Sequence, residues 1–178
     1  MATPVLAIAQ LANECEAEGF TPKNADRIGA EIAKVFSVQP HEVGVLRLDK
    51  TNLIFVYPTK LHSVGSIPLN TSGSVAARTA TARRAEVINN FAQTKHTSVF
   101  EAVELENKVQ QIGGEKHDHS LHQIQKLMSA PVVGPNGVLG VIQISRKGAS
   151  APVAGPDFSA ADLQKLVGVA GALAKCFK

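Results

Sequence analysis

The sequence holds no tryptophan, one tyrosine and two cysteines among 178 residues. A nucleic-acid surface needs clustered basic residues and stacking aromatics. Here the net charge is only +3, with Lys and Arg scattered along the chain, so no nucleic-acid partner is expected. The cysteines, Cys15 and Cys176, stand near opposite chain ends, which fits neither a disulfide framework nor a zinc spacing. No apolar run reaches the ~18–20 residues of a membrane span. The first residues, MATPVLAIAQLANECEAEGF, lack a basic leader and soon meet Glu14, Glu16 and Glu18, so the expected location is cytoplasmic. Gly65 and Gly73 lack the spacing of a phosphate-binding loop.

What is present centres on Lys126–Lys147, KLMSAPVVGPNGVLGVIQISRK. Two apolar runs, Leu127–Val133 and Val138–Ile144, flank Gly134-Pro135-Asn136-Gly137, whose residues favour a tight reversal. The pattern predicts a central β-hairpin. Inside it, Gly140 leaves room for another backbone, a helix or a ligand to come close. Upstream, helical spacing over residues 4–18 and a Thr21-Pro22 cap predict two helices, the second ending before Pro40. The period then changes to two. HEVGVLRLD and LIFVY, joined by Asp49–Asn52, read as a second hairpin in which Val43, Val45 and Arg47 share one face and Leu46 and Leu48 the other.

Ile67–Leu69 reads as a short strand, VAARTATARR as a helix, and Glu86–Ile88 as another strand. Ser98 and Glu101 suggest a capped helix running to about Ile112, followed by a polar loop, EKHDHSLH. After the linker Gly148–Pro156, Ser159 and Asp162 form the capping signature of a last helix with a broad apolar face. Helices at both chain ends around an antiparallel sheet read as an α+β fold in a single domain.

Four groups of residues are candidates for chemistry. His117, His119 and His122 with Asp118 offer metal-ligand types, but no third ligand is set by spacing, and a solvated polar loop is the better reading, so no metal is expected. Arg47 interrupts an apolar strand face; turned into a pocket it would grip a carboxylate or phosphate, turned to water it would be an edge residue. Asn89, Asn90 and Phe91, followed by Lys95, His96, Ser98 and Phe100, mix rings with amide, imidazole and hydroxyl groups as a small-ligand pocket does. Their alternative is a set of core, turn and cap residues. Arg78, Arg83 and Arg84 read as a solvated helix face.

IPL at Ile67–Leu69, GSVAARTATARRAEVINN at Gly73–Asn90, and APVVGPNGVLGVIQISRK leading to DFSAADLQKLVGVAGALA together resemble a GAF domain, a relative of the PAS fold, over residues 22–177 behind an N-terminal helix in 1–20. The resemblance implies a central six-stranded antiparallel sheet, with N- and C-terminal helices on one face and a variable segment capping a pocket on the other. It also implies a salt bridge between Lys147 and Asp162, the Lys and Asp of an Asn-Lys…Phe-x-x-x-Asp-Glu motif seen in cyclic-nucleotide-binding members. Here Arg146 stands for the Asn and Leu163 for the Glu, and the family's Thr-Gly-x-Pro appears as Ala82–Ala85.

Function expected from the resemblance is a stand-alone sensor for a small, anionic ligand held by Arg47, Asn89, Asn90, Phe91, His96, Ser98 and Phe100. It would need no cofactor and would dimerise through its terminal helices. The alternatives are a ligand-free interaction module and a GAF-type enzyme such as free methionine sulfoxide reductase. The enzyme reading lacks a thiol between Cys15 and Cys176, as does covalent tetrapyrrole attachment in that stretch.

Overall fold

The computed structural model describes residues 4–62, 65–93 and 123–177. Helix α1 (Pro4–Cys15) ends just before Gly19, whose φ of 68° suits the turn and whose N–H donates to the Cys15 carbonyl at 2.8 Å. Thr21 caps α2 (Pro22–Phe36), its hydroxyl accepting the Asn24 N–H at 3.2 Å, with proline in the first turn as expected. The hairpin β1 (Val43–Asp49) and β2 (Asn52–Tyr57) follows, then β3 (Ser66–Pro68), α3 (Val75–Ala82) and β4 (Glu86–Ile88). The central hairpin is β5 (Ile124–Gly134) and β6 (Gly137–Lys147), and α4 (Ala160–Leu173) closes the series. One helical turn, Ala151–Ala154, interrupts the expected linker; Pro152 fits its first turn because that position needs no N–H donor.

The strands form one antiparallel sheet in the order β3-β2-β1-β6-β5-β4, so the expected α+β fold with six strands is the fold observed. Its two central strands are β1 and β6, paired from Val43↔Ile144 to Arg47↔Gly140. Alternation then sorts side chains between two cores. On one face Val43, Val45, Met128, Ala130, Ile142 and Ile144 pack with Ile8, Ile28, Ile32, Leu166 and Leu173 of α1, α2 and α4. On the other, Leu46, Leu53, Phe55, Ile67 and Val141 pack with Ala76, Ala77 and Ala80 of α3. The alanine-rich character of α3 lets the helix backbone lie close to the sheet.

Gly140 serves close approach, as its place in an apolar strand suggested. A Cβ there would overlap the Leu46 carbonyl oxygen and come within 2.6 Å of the Phe177 ring. Phe177 in turn meets Phe20 edge to face, with centroids 4.7 Å apart. The two chain ends are thus sewn together over the centre of the sheet, on the terminal-helix face.

Candidate functional site

The α3 face is only partly covered at the middle of the sheet. Gly44 and Gln143 are cross-strand partners on the two central strands, and both are only half-buried. Their neighbours Val43, Val45, Ile142 and Ile144, which turn to the opposite face, are almost wholly buried. A glycine in a central strand gives up side-chain packing and signals close approach of something else. At Gly44 a Cβ would meet only ordinary contacts, the Phe55 ring at 3.6 Å and the Gln143 Cβ at 3.9 Å. Gly44 and Gln143 thus form a partly exposed floor with room for a Cβ, and the Phe55 ring stands beside it.

A polar row crosses that floor. Ser129 pairs with Gln143 across β5 and β6, and with Glu86 across β4 and β5. Above it, the Thr79 hydroxyl of α3 donates to the Val75 carbonyl at 2.8 Å and stands 2.7 Å from the Ser129 hydroxyl. Gln143 Nε2 donates to Ser129 Oγ at 3.3 Å. Thr79 and Ser129 are almost wholly buried, so each hydroxyl needs its partners. At the row's end Arg78 and Glu86 form an ion pair, both Nε and Nη2 lying 2.9 Å from Glu86 Oε1. The charges there offset each other, and the described residues of the row between them and Gly44 are uncharged.

These residues were not singled out in the sequence. A signal existed: Ser129 and Gln143 are the polar interruptions of the two apolar runs in the central hairpin, and Gly44 interrupts the apolar run of β1. That they form one row depends on strand register.

The expected site residues are dispersed. Arg47 lies on the terminal-helix face, paired with Gly140, whose missing side chain would point at Phe177. It shares a face with Val43 and Val45 as expected, but that face is the one opposite α3, because Leu46 and Leu48 are the residues that pack with the α3 core. Asn89 is occupied by the main chain. Its Nδ2 donates to the Phe158 carbonyl at 3.0 Å and its Oδ1 accepts the Phe158 N–H at 2.9 Å. Phe91 is a core residue beside Val75 and Leu127. Asn90 is exposed. His96, Ser98 and Phe100 lie outside the described residues, as do Lys95, the helix expected to end near Ile112 and the His117, His119 and His122 loop.

Among the ion pairs of the described residues, none joins Lys147 to Asp162. Asp162 instead completes the capping box of α4, accepting the Ser159 N–H at 2.8 Å while its own N–H donates to the Ser159 hydroxyl at 3.1 Å. The main-chain N–H of Lys147 donates to Glu42 at 2.6 Å. The tie between sheet and α4 falls to Lys126, whose buried ammonium lies 2.8 Å from Asp157 and donates to the Gly155 carbonyl at 2.6 Å. Beside it, Arg146 stacks its guanidinium over Phe158 at 4.7 Å.

Both thiols lie in the terminal-helix core. Burial raises the pKa of Cys15, with the nearby Arg27 opposing, and Cys176 Sγ donates to the Ala12 carbonyl at 3.4 Å. Among the described residues, no group of three or more His, Cys, Asp and Glu could hold a metal ion. No described helix is long and apolar enough to cross a membrane.

Neither a protein-family model nor a curated protein matches the sequence. Solved structures do. The chain is similar to the GAF domain of an Acinetobacter phosphoenolpyruvate-protein phosphotransferase, at 13% identity and a TM-score of 0.64 over 99% of this chain and 94% of that one. It is similar to the GAF domain of A. aeolicus nlh2, at 11% identity and a TM-score of 0.62 over 98% and 95%. It also resembles free methionine-R-sulfoxide reductase from Neisseria meningitidis in complex with its substrate, at 14% identity and a TM-score of 0.61 over 99% and 91%. GAF domains and a reductase thus share this architecture, and from sheet order to terminal helices the protein has the fold of a GAF domain.

Proposed function

We propose that the protein acts in the cytoplasm as a single GAF-type sensor unit across residues 1–178, binding a small molecule on the α3 face above Gly44 and Gln143. The observation that carries this reading is the half-buried Gly44–Gln143 pair at the centre of a sheet whose surrounding positions are buried. A packed interaction module would fill that position with a side chain. An anionic ligand held by Arg47 loses its argument, since Arg47 is on the other face. The reductase alternative, suggested by the likeness to a methionine sulfoxide reductase, is disfavoured at this face. The chain's two thiols are buried beneath the terminal helices, on the far side of the sheet. The same reading includes a homodimer through α1 and α4, where Leu6 and Val167 are exposed.

The test is a thermal-shift screen of metabolites on the parent, on Gly44→Val and on Arg47→Ala. Valine suits a strand, and its Cβ would make only ordinary contacts at position 44; the melting temperature of the unliganded variant, compared with the parent's, checks that the fold is kept. Hits are expected to vanish in Gly44→Val and to persist in Arg47→Ala. Hits that survive in Gly44→Val would place binding elsewhere and overturn the reading.

A further inference from the structure

The hydrogen bonds of the polar row have only one consistent direction. The Val75 carbonyl can only accept, so Thr79 gives it its single hydroxyl proton. The contact of 2.7 Å between Thr79 and Ser129 must then use the proton of Ser129. Ser129 has no proton left for Gln143, so at 3.3 Å it accepts, and the group facing it is the Gln143 NH2. The usual ambiguity between the two ends of a glutamine amide is removed by this chain of donors. One N–H anchors the amide through β5 to α3, and among the described residues its carbonyl oxygen and second N–H take no further partner.

We propose that this site takes a neutral ligand carrying an N–H donor next to a C=O acceptor, the cis-amide edge of a lactam, which Gln143 reads with one bond in each direction. The inference rests on the binding reading above and names its ligand class. A carboxylate would receive one N–H but face the Gln143 oxygen, and an ammonium would meet the opposite conflict. Among the described residues no cation beside Gln143 offsets either, because Arg78 is paired with Glu86 and Arg47 is across the sheet. Phe55, within 3.6 Å of where a Gly44 Cβ would stand, gives a planar ring an apolar wall. Ser129 and Thr79 are positioning residues, with no hydroxyl proton to offer the ligand.

Lactams of this kind occur in pyrimidine bases and in cyclic dipeptides, and the probes separate these sources. Uracil and cyclo(Gly-Gly) are titrated into nitrogen-15-labelled protein, each beside its N-methylated counterpart, 1,3-dimethyluracil and N,N′-dimethyl-cyclo(Gly-Gly). At least one parent lactam is expected to shift the Gln143 side-chain amide resonances. Its methylated form should bind at least about tenfold more weakly, the scale of one hydrogen bond lost with its partner left unpaired. Gln143→Leu should lose the same preference. The methylation comparison uses the unaltered protein, so it stands even if that variant folds poorly. Equal affinity of methylated and parent lactams, or no binding of either lactam, overturns the ligand class. If metabolite hits still depend on Gly44 in that case, the site stands and only the class falls. If lactam binding persists in Gly44→Val, both fall.

Discussion

Single atoms decide several positions in this fold. Gly140 is one: its α-carbon faces the Leu46 carbonyl and the Phe177 ring, and neither can yield easily, the first being main chain in a central strand and the second core. Gly140→Ala is expected to destabilise the protein by about 3 kcal/mol, the upper end of overpacking costs. Chemical denaturation of the two proteins checks it; a loss below about 0.5 kcal/mol, the scale of a neutral surface change, would mean the contact relaxes. Gly44 makes the contrast at the same scale. Its Cβ would find contacts no closer than 3.6 Å, so a side chain there is tolerated by the fold and felt only by whatever binds above it. One glycine admits the protein's own chain, and the other would accept a Cβ in ordinary contact.

At the scale of elements, the start of α4 is fastened by three sets of contacts. Ser159 and Asp162 close its first turn, Asn89 binds both main-chain groups of Phe158, and Lys126 holds Asp157 and Gly155. The Lys126–Asp157 pair is half exposed through Asp157, whose side chain is 70% accessible, so its own contribution is small. The Asn89 bonds count for more, because losing them leaves an N–H and a carbonyl beside the core without partners. Asn89→Ala should cost about 1–3 kcal/mol, the penalty for such unpaired groups, and should speed amide exchange in the first turn of α4. Unchanged exchange at Phe158 and Ser159 would show that the contact does not fasten the helix. Ligand hits should survive this substitution, since Asn89 is occupied by Phe158 and does not line the Gly44 floor.

At the scale of the whole molecule, α1 and α4 pack together, with Val5 side-chain atoms 3.7 and 3.8 Å from where a Gly168 Cβ would stand. Their outer surface leaves Leu6 46% and Val167 45% exposed. Covering both against a second copy is the arrangement proposed above. Light scattering at micromolar concentration is then expected to return twice the 18.8 kDa chain mass, and Val167→Glu to return the chain mass itself. A parent protein that is already monomeric would sink the dimer. The sheet separates this surface from the Gly44 site, so binding of a small molecule should be unchanged in the Val167→Glu monomer.

Local chemistry was enough to place most elements. The Thr21-Pro22 start, the Ser159 and Asp162 box, the Gly134–Gly137 reversal and the close approach at Gly140 all follow from residues near one another in the chain. Alternation also put Val43, Val45 and Arg47 on a common face. It could not say which helices cover that face, because period two defines two sides without labelling them, and the packing of α1, α2 and α4 chose the side. The motif resemblance pointed to Lys147 and Asp162, yet Lys126 took the role of tying the sheet to α4, since its strand position brings its ammonium beneath Gly155 and Asp157. The candidate site lay furthest from sequence reasoning. Thr79 and Ser129 are 50 residues apart and Gly44 and Gln143 further still, and only the register of β1, β6 and β5 beneath α3 sets them in one row.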